Sequence, residues 1–142
     1  MRLALKITAA LFFIALTWVA STLAISELGG EVVTLGRPEP DNTTKNIRVW
    51  IVDDQDKSYI EHGDEDSYWV QAAKQSRIIS VERRGKKRSY LARADSRSHS
   101  LYHHLRREKY GYADILLETL SFGAMSEENC NGVPVVLTEP TS

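Results

Sequence analysis

A chain of 142 residues, 42% apolar and 26% charged, has the composition of a folded domain and the length of only one. Its formal net charge of −1 argues against nucleic acid as a partner, because a phosphate backbone calls for a basic excess. The single cysteine, Cys130, excludes an intrachain disulfide and a zinc site built from several thiolates, and it reads as a buried structural thiol.

The first element is Ile7 to Ile25, an apolar run without a charged residue. At about 1.5 Å per residue, roughly 19 helical residues span about 28 Å, close to a bilayer's hydrocarbon thickness. Arg2 and Lys6 precede it, and Glu27 and Glu31 are the first charges after it. The excess of positive charge at its start keeps the N-terminus cytoplasmic and puts the remainder outside, in the periplasm or the extracellular space. A cleaved signal peptide is the rival reading, with Ser21-Thr22-Leu23-Ala24 as the small-residue site. Residues 1–30 are therefore an anchor or signal segment, and residues 31–142 are the domain.

After Gly29-Gly30 the period shortens to that of strands. Val32, Val33 and Leu35 suggest a first strand, closed at Gly36 to Pro40 by two prolines, with a loop through Asn46. Ile47 to Val52 is β-branched and aromatic, ends in the turn formers Asp53 to Asp56, and pairs naturally with Ser58 to Glu61 as a hairpin. Asp66 or Ser67 caps a short helix through Gln75, with Tyr68, Trp69 and Ala72 inward. Arg77 to Glu82 and Lys87 to Arg93 form a second hairpin about Arg84-Gly85-Lys86. From Ser96 the pattern is helical: Leu101 and Leu105 are followed, after a break at Gly111, by Tyr112, Ile115, Leu116 and Leu120. Val133 to Leu137 closes the chain as a buried strand. Meandering strands with few helices point to a small antiparallel barrel, since closure removes exposed edges.

In their order and spacing these segments, over Glu31 to Pro140, resemble the FMN-binding split-barrel superfamily, and within it the deazaflavin-dependent nitroreductase and quinone-reductase family. Three places carry the resemblance: Ile47 to Val52 with its acidic turn; His62-Gly63 leading to Tyr68-Trp69; and Tyr110 to Asp114 followed by Gly132 to Leu137. It implies a mainly β (α+β) fold, a six-stranded split antiparallel β-barrel with flanking helices, here preceded by one N-terminal transmembrane or signal helix. It also implies a deazaflavin or FMN cofactor, a small-molecule acceptor such as a nitro compound or quinone, and a homodimer. The cofactor-binding residues would be Thr44, Lys45, Asn46, Arg48, Trp50, His62, Gly63, Ser67 and Trp69. Asn46, Arg48 and Trp50 share one face of their strand by its period of two and would line the ring; the segment from His62 to Ser67 would lie near the phosphate.

Two features depart from the family pattern. Pro38 to Asp41 interrupts a loop that is ordinarily basic and glycine-rich, and Glu61, Asp64, Glu65 and Asp66 crowd the phosphate loop. Like charges about 4 Å apart repel by roughly 4 kcal/mol at an effective dielectric of 20, so Arg48 and Lys45 would have to compensate. A second function class follows: a membrane-tethered binding module that keeps the barrel without redox chemistry and holds haem or an apolar ligand.

The other polar features read as surface. His99 and His103 stand four apart and His62 could join them as a metal ligand, but no acidic residue beside them in sequence completes a metal motif, so these histidines and His104 are expected to face solvent, with no metal site. Arg83 to Arg88 is a solvated basic turn or a contact with anionic lipid. Asn42-Thr43-Thr44 is a glycosylation sequon that matters only in a eukaryotic secretory protein. No nucleophile and base stand in a hydrolase motif.

Overall fold

The computed structural model describes residues 2–140. Helix α1 (Arg2–Leu28) precedes strands β1 (Val32–Pro38), β2 (Thr44–Trp50), β3 (Val52–Asp54) and β4 (Lys57–Asp64). Helix α2 (Tyr68–Lys74), strands β5 (Arg77–Arg83) and β6 (Lys86–Ala94), helices α3 (His99–Tyr110) and α4 (Tyr112–Leu120), and strand β7 (Gly132–Thr138) complete the chain.

All seven strands form one antiparallel sheet in the order β2-β1-β5-β6-β7-β4-β3. Its two edge strands, β2 and β3, are consecutive in sequence, with only Ile51 between them. Opposite edges joined by one residue cannot lie a sheet's width apart, so the sheet curls round until they meet. This is the split-barrel architecture. The six strands expected become seven because the run Ile47 to Val52 breaks at Ile51: its first part pairs with β1, and only Val52 onward pairs with β4.

The period of two then sorts the side chains. Val33, Leu35, Val49, Ile51, Ile60, Val81, Val135 and Leu137 point inward to one buried cluster, and α2 joins it with Trp69, Val70 and Ala73. Alternate residues face outward, where Val52 and Tyr59 meet Tyr102 of α3 in a second cluster. Glu61, two residues beyond Tyr59, shares that outward face, and so does Trp50 of β2.

Several expectations are corrected in detail. Strand β1 runs through Gly36 to Pro38, because there it pairs only with β2, and Pro38 sits at the terminal pair with Thr44. β2 begins at Thr44, inside the segment expected to be loop. In α2, Tyr68 is exposed and Val70 and Ala73 are buried; Ser67 occupies the N-cap position, but its hydroxyl donates to the Asp64 carbonyl and not to the helix. The second hairpin turns at Arg84 and Gly85, both at positive φ, as a two-residue connection requires.

One ion network fastens the seam of the barrel. Glu31 ahead of β1, Asp53 of β3, Arg83 of β5 and Lys109 of α3 converge, with Arg83 reaching both carboxylates at 2.5 and 2.7 Å and Lys109 reaching them at 2.8 and 3.0 Å. The bond from Arg83, with Lys109 adding to it against the cost of burial, holds the Glu31 carboxyl down at about 2, against an ordinary 4.5. A carboxylate with a lowered folded-state pKa stabilises the protein above its ordinary value, and that contribution fades as pH falls through the interval between the two. Glu31→Gln should therefore lose about 1–2 kcal/mol at neutral pH after allowance for solvent screening. In urea titrations it should also show a shallower loss of stability between pH 4.5 and pH 2 than the wild type.

Candidate functional site

The outward faces of β2 and β4, the last turn of α1 and the inner side of α3 and α4 enclose a cavity of about 380 Å³. Four of the residues expected at the cofactor line it: Arg48, Trp50, His62 and Gly63. Thr44 lines a separate groove beside β5, and Lys45, Asn46, Ser67 and Trp69 line neither. Lys45 and Asn46 are exposed on β2 beyond the helices.

Local bonding explains these placements. Arg48 is committed to Glu27 of α1 through an ion pair of 2.5 Å, and the Trp50 indole donates to the Ser26 carbonyl at 2.6 Å while its ring lies 4.6 Å from that of Tyr110. His62 and Gly63 sit where β4 slips register against β7, between Glu61 and Asp64. Gly63 has φ +96, and a Cβ there would come within 2.8 Å of Ser67 Oγ. The Trp69 indole donates to the His62 carbonyl at 2.5 Å and so braces the bulge from inside the barrel. Burial, then the nearby charges of Arg37 and Lys45, push the His62 pKa down. Arg37 Nη1 lies 3.2 Å from His62 Nε2, which accepts from it.

The far wall was not legible in the sequence. Tyr102, His103 and Arg106 are the buried face of α3, whereas Leu101 is exposed. On α4, Asp114 and Leu117 are buried, and Tyr112, Ile115 and Leu116 face out. The helical period was right, and the buried side is the polar one. Asp114, 2% exposed, accounts for it: it accepts from Arg106 Nε at 2.5 Å and Arg107 Nε at 2.6 Å, and Arg106 also donates to the Met125 carbonyl at 2.7 Å.

Glu61, in the cavity wall, also meets two histidines that line a separate groove. His99 Nδ1 is 3.0 Å from Glu61 Oε1, and His103 Nε2 is 3.4 Å from Oε2; the Cys130 thiol donates to Oε2 at 3.3 Å. The Glu61 side chain is 5% exposed. Burial pushes its carboxyl up, but His103, Cys130 and His99 together hold it below the ordinary value. The expectation of solvent-facing histidines holds for His104 and fails for His103, which is buried, and for His99, which is half-buried. The i, i+4 pair was visible in the sequence. Its acidic partner was not, because Glu61 is brought in from β4, 38 residues away.

No family model matches the chain, and no curated protein does. Among solved structures, an F420 reductase is 14% identical, aligning over 79% of this chain and 87% of its own with a TM-score of 0.42. HutZ, the haem storage protein from Vibrio cholerae, is 6% identical over 87% of this chain and 90% of its own, with a TM-score of 0.38. At these identities neither likeness extends to residues or activity.

A flavin or deazaflavin presents a planar ring and a phosphate-bearing tail. Trp50, Tyr102 and Leu117 give the cavity an apolar, partly aromatic wall that suits a ring. The tail finds no such match: Arg48 and Arg106 are already paired to Glu27 and Asp114, and Glu61 and Asp64 add negative charge. Asp114→Ala would strand Arg106, which is 4% exposed; a loss of about 3 kcal/mol in urea denaturation is expected, with a smaller loss for Asp114→Asn.

Proposed function

We propose that this protein is a membrane-tethered split-barrel binding module that takes a small, neutral, largely apolar ligand between its barrel and its N-terminal helix. The observation that carries this reading is the cavity's construction: its wall includes Ser26 and Glu27 of α1, and both of its arginines are paired, Arg48 with Glu27 at the exposed rim and Arg106 with the buried Asp114. A site with paired cations and apolar walls favours neutral ligands, since a charged one would lose hydration without gaining a partner.

The tether is supported by α1 itself. The most apolar 18-residue window of Leu3–Leu28 has a mean hydropathy of 2.0 with none of it buried, and Thr8, Thr17 and Thr22 each donate their hydroxyl to the carbonyl four residues back, which suits them to lipid. The Trp18 indole donates to the Leu120 carbonyl at 3.1 Å, and its ring is 5.8 Å from that of Phe122. With Ile25 at the outer boundary of the hydrocarbon, Trp18 lies about 10 Å deeper. The end of α4 would therefore enter the outer leaflet, where exposed Ile115, Leu116 and Phe122 meet acyl chains and not water. The charge order along the chain supports an orientation with the barrel outside the cytoplasm, in which an apolar ligand would reach the cavity from the lipid.

A second reading, a deazaflavin- or FMN-dependent reductase of nitro or quinone acceptors, rests on the aromatic wall. In that case the cofactor would supply the hydride, and Trp50 and Tyr102 would position its ring. Purifying the full chain in detergent and titrating it with a short-tailed naphthoquinone, haemin, FMN and deazaflavin separates the two readings. Under the binding-module reading the naphthoquinone quenches tryptophan fluorescence, Trp50→Ala weakens that binding at least about tenfold, and haemin, FMN and deazaflavin do not bind. Stoichiometric deazaflavin or FMN together with quinone reduction would establish the reductase instead. Intact mass of the membrane fraction reports whether α1 is retained.

A further inference from the structure

We propose that Glu61, His99 and His103, closed by Cys130, hold one tetrahedral divalent metal ion of the zinc class. One ligand atom from each of the first three residues lies within 4.8 Å of the others. Around a zinc ion with bonds of about 2.0–2.3 Å, tetrahedral ligands stand roughly 3.3–3.7 Å apart. His99 Nδ1 lies 3.0 Å from Glu61 Oε1 and His103 Nε2 lies 3.4 Å from Oε2, within a few tenths of that spacing; Cys130 Sγ, 3.3 Å from Oε2 but outside the three-residue group, would close the fourth position by turning toward the histidines.

Two features distinguish this cluster from an ordinary buried network. His103 Nε2 is fully buried and has no hydrogen-bond partner among the described residues, although it lies 3.4 Å from the Glu61 carboxylate. Protein interiors seldom leave such an atom bare. His99 Nε2 lies 3.0 Å from the Glu127 carbonyl, which can only accept. With the proton held on Nε2, the Nδ1 lone pair faces the Glu61 oxygen, and two lone pairs at that distance call for a cation between them. A metal-bound histidine donating its other N–H to a backbone carbonyl is the usual supporting arrangement of such sites. The bland alternative, protonated histidines paired with Glu61, satisfies His99 but leaves His103 Nε2 at 3.4 Å from the carboxylate without the geometry of a hydrogen bond.

The donor set of two imidazoles, a carboxylate and a thiolate selects zinc and its neighbours over magnesium or calcium. With Cys130 bound as thiolate, its charge and that of Glu61 balance the ion. The ligands come from three separate places: β4, α3 and the segment ahead of β7. The ion would therefore fix residues 121–131, a run of turns without a strand or helix, against the barrel, and set the inner end of the cavity. This inference stands apart from the ligand reading above.

The test uses the full chain in detergent, stripped with a chelator and titrated with ZnCl2 and CoCl2. One equivalent of Co(II) should give the intense visible bands of tetrahedral coordination with a thiolate charge-transfer band in the near ultraviolet, and Zn(II) should displace it and raise the melting temperature. His103→Gln should weaken Zn(II) binding at least about tenfold. Cys130→Ser should lose the charge-transfer band and keep the visible bands, and His104→Ala should behave as wild type. Octahedral or non-stoichiometric Co(II) binding by the wild type overturns the proposal, whatever the fate of the variants, and so does a folded His103→Gln protein with unchanged affinity.

Discussion

Ile51 stands alone between the two edge strands of a seven-stranded sheet, and that covalent link constrains everything around it. A peptide chain spans at most about 3.5 Å per residue, so the edges must close on one another whatever else the sequence does. Closure creates an inside, filled by Val33, Leu35, Ile60, Val81, Val135 and their neighbours, and an outside on which α1, α3 and α4 find places. It also brings the start of β1, strand β3, the end of β5 and the end of α3 to one seam. There Glu31, Asp53, Arg83 and Lys109 form their network. Four half-exposed charges at one point stabilise more than scattered pairs would, because each cation serves two anions and each anion two cations.

The site follows from that seam. Closure turns the alternate residues of β2 and β4 outward, so Trp50 and Glu61 reach the helices and not the barrel core. Helix α3 answers with its polar face: Tyr102, His103 and Arg106 are buried, and the charge of Arg106 is tolerated because Asp114 of α4 neutralises it. The same pairing removes Arg106 from service as an anion-binding group, and Glu27 competes more weakly for Arg48 at the exposed rim. An arginine in a cavity is thus a poor sign of phosphate binding until its partners are known.

Electrostatics and membrane geometry also support one another. Trp18 of α1 is tied to the end of α4, so the apolar helix and the domain are not joined by a free linker. If α1 spans a bilayer, as proposed above, the exposed side of α4, with Ile115, Leu116 and Phe122, would face lipid.

The sequence by itself determined the elements and their order. Residues with period two became strands, the helical run after Ser96 became α3 and α4 with their break at Gly111, and the uncharged run from Ile7 to Ile25 lies within one long helix. These follow from local backbone preference and hydrophobic periodicity, which act over a few neighbours. Only the tertiary structure decided which residues meet. Thr44, Lys45 and Asn46 parted from Arg48 and Trp50 because the helices cover only one end of β2. His103 gained an acidic neighbour because β4 delivers Glu61 from 38 residues before His99, and α3 turned its polar side inward because a buried aspartate on the next helix offset the cost. Such contacts depend on the three-dimensional path of the chain, and sequence spacing carries no record of it.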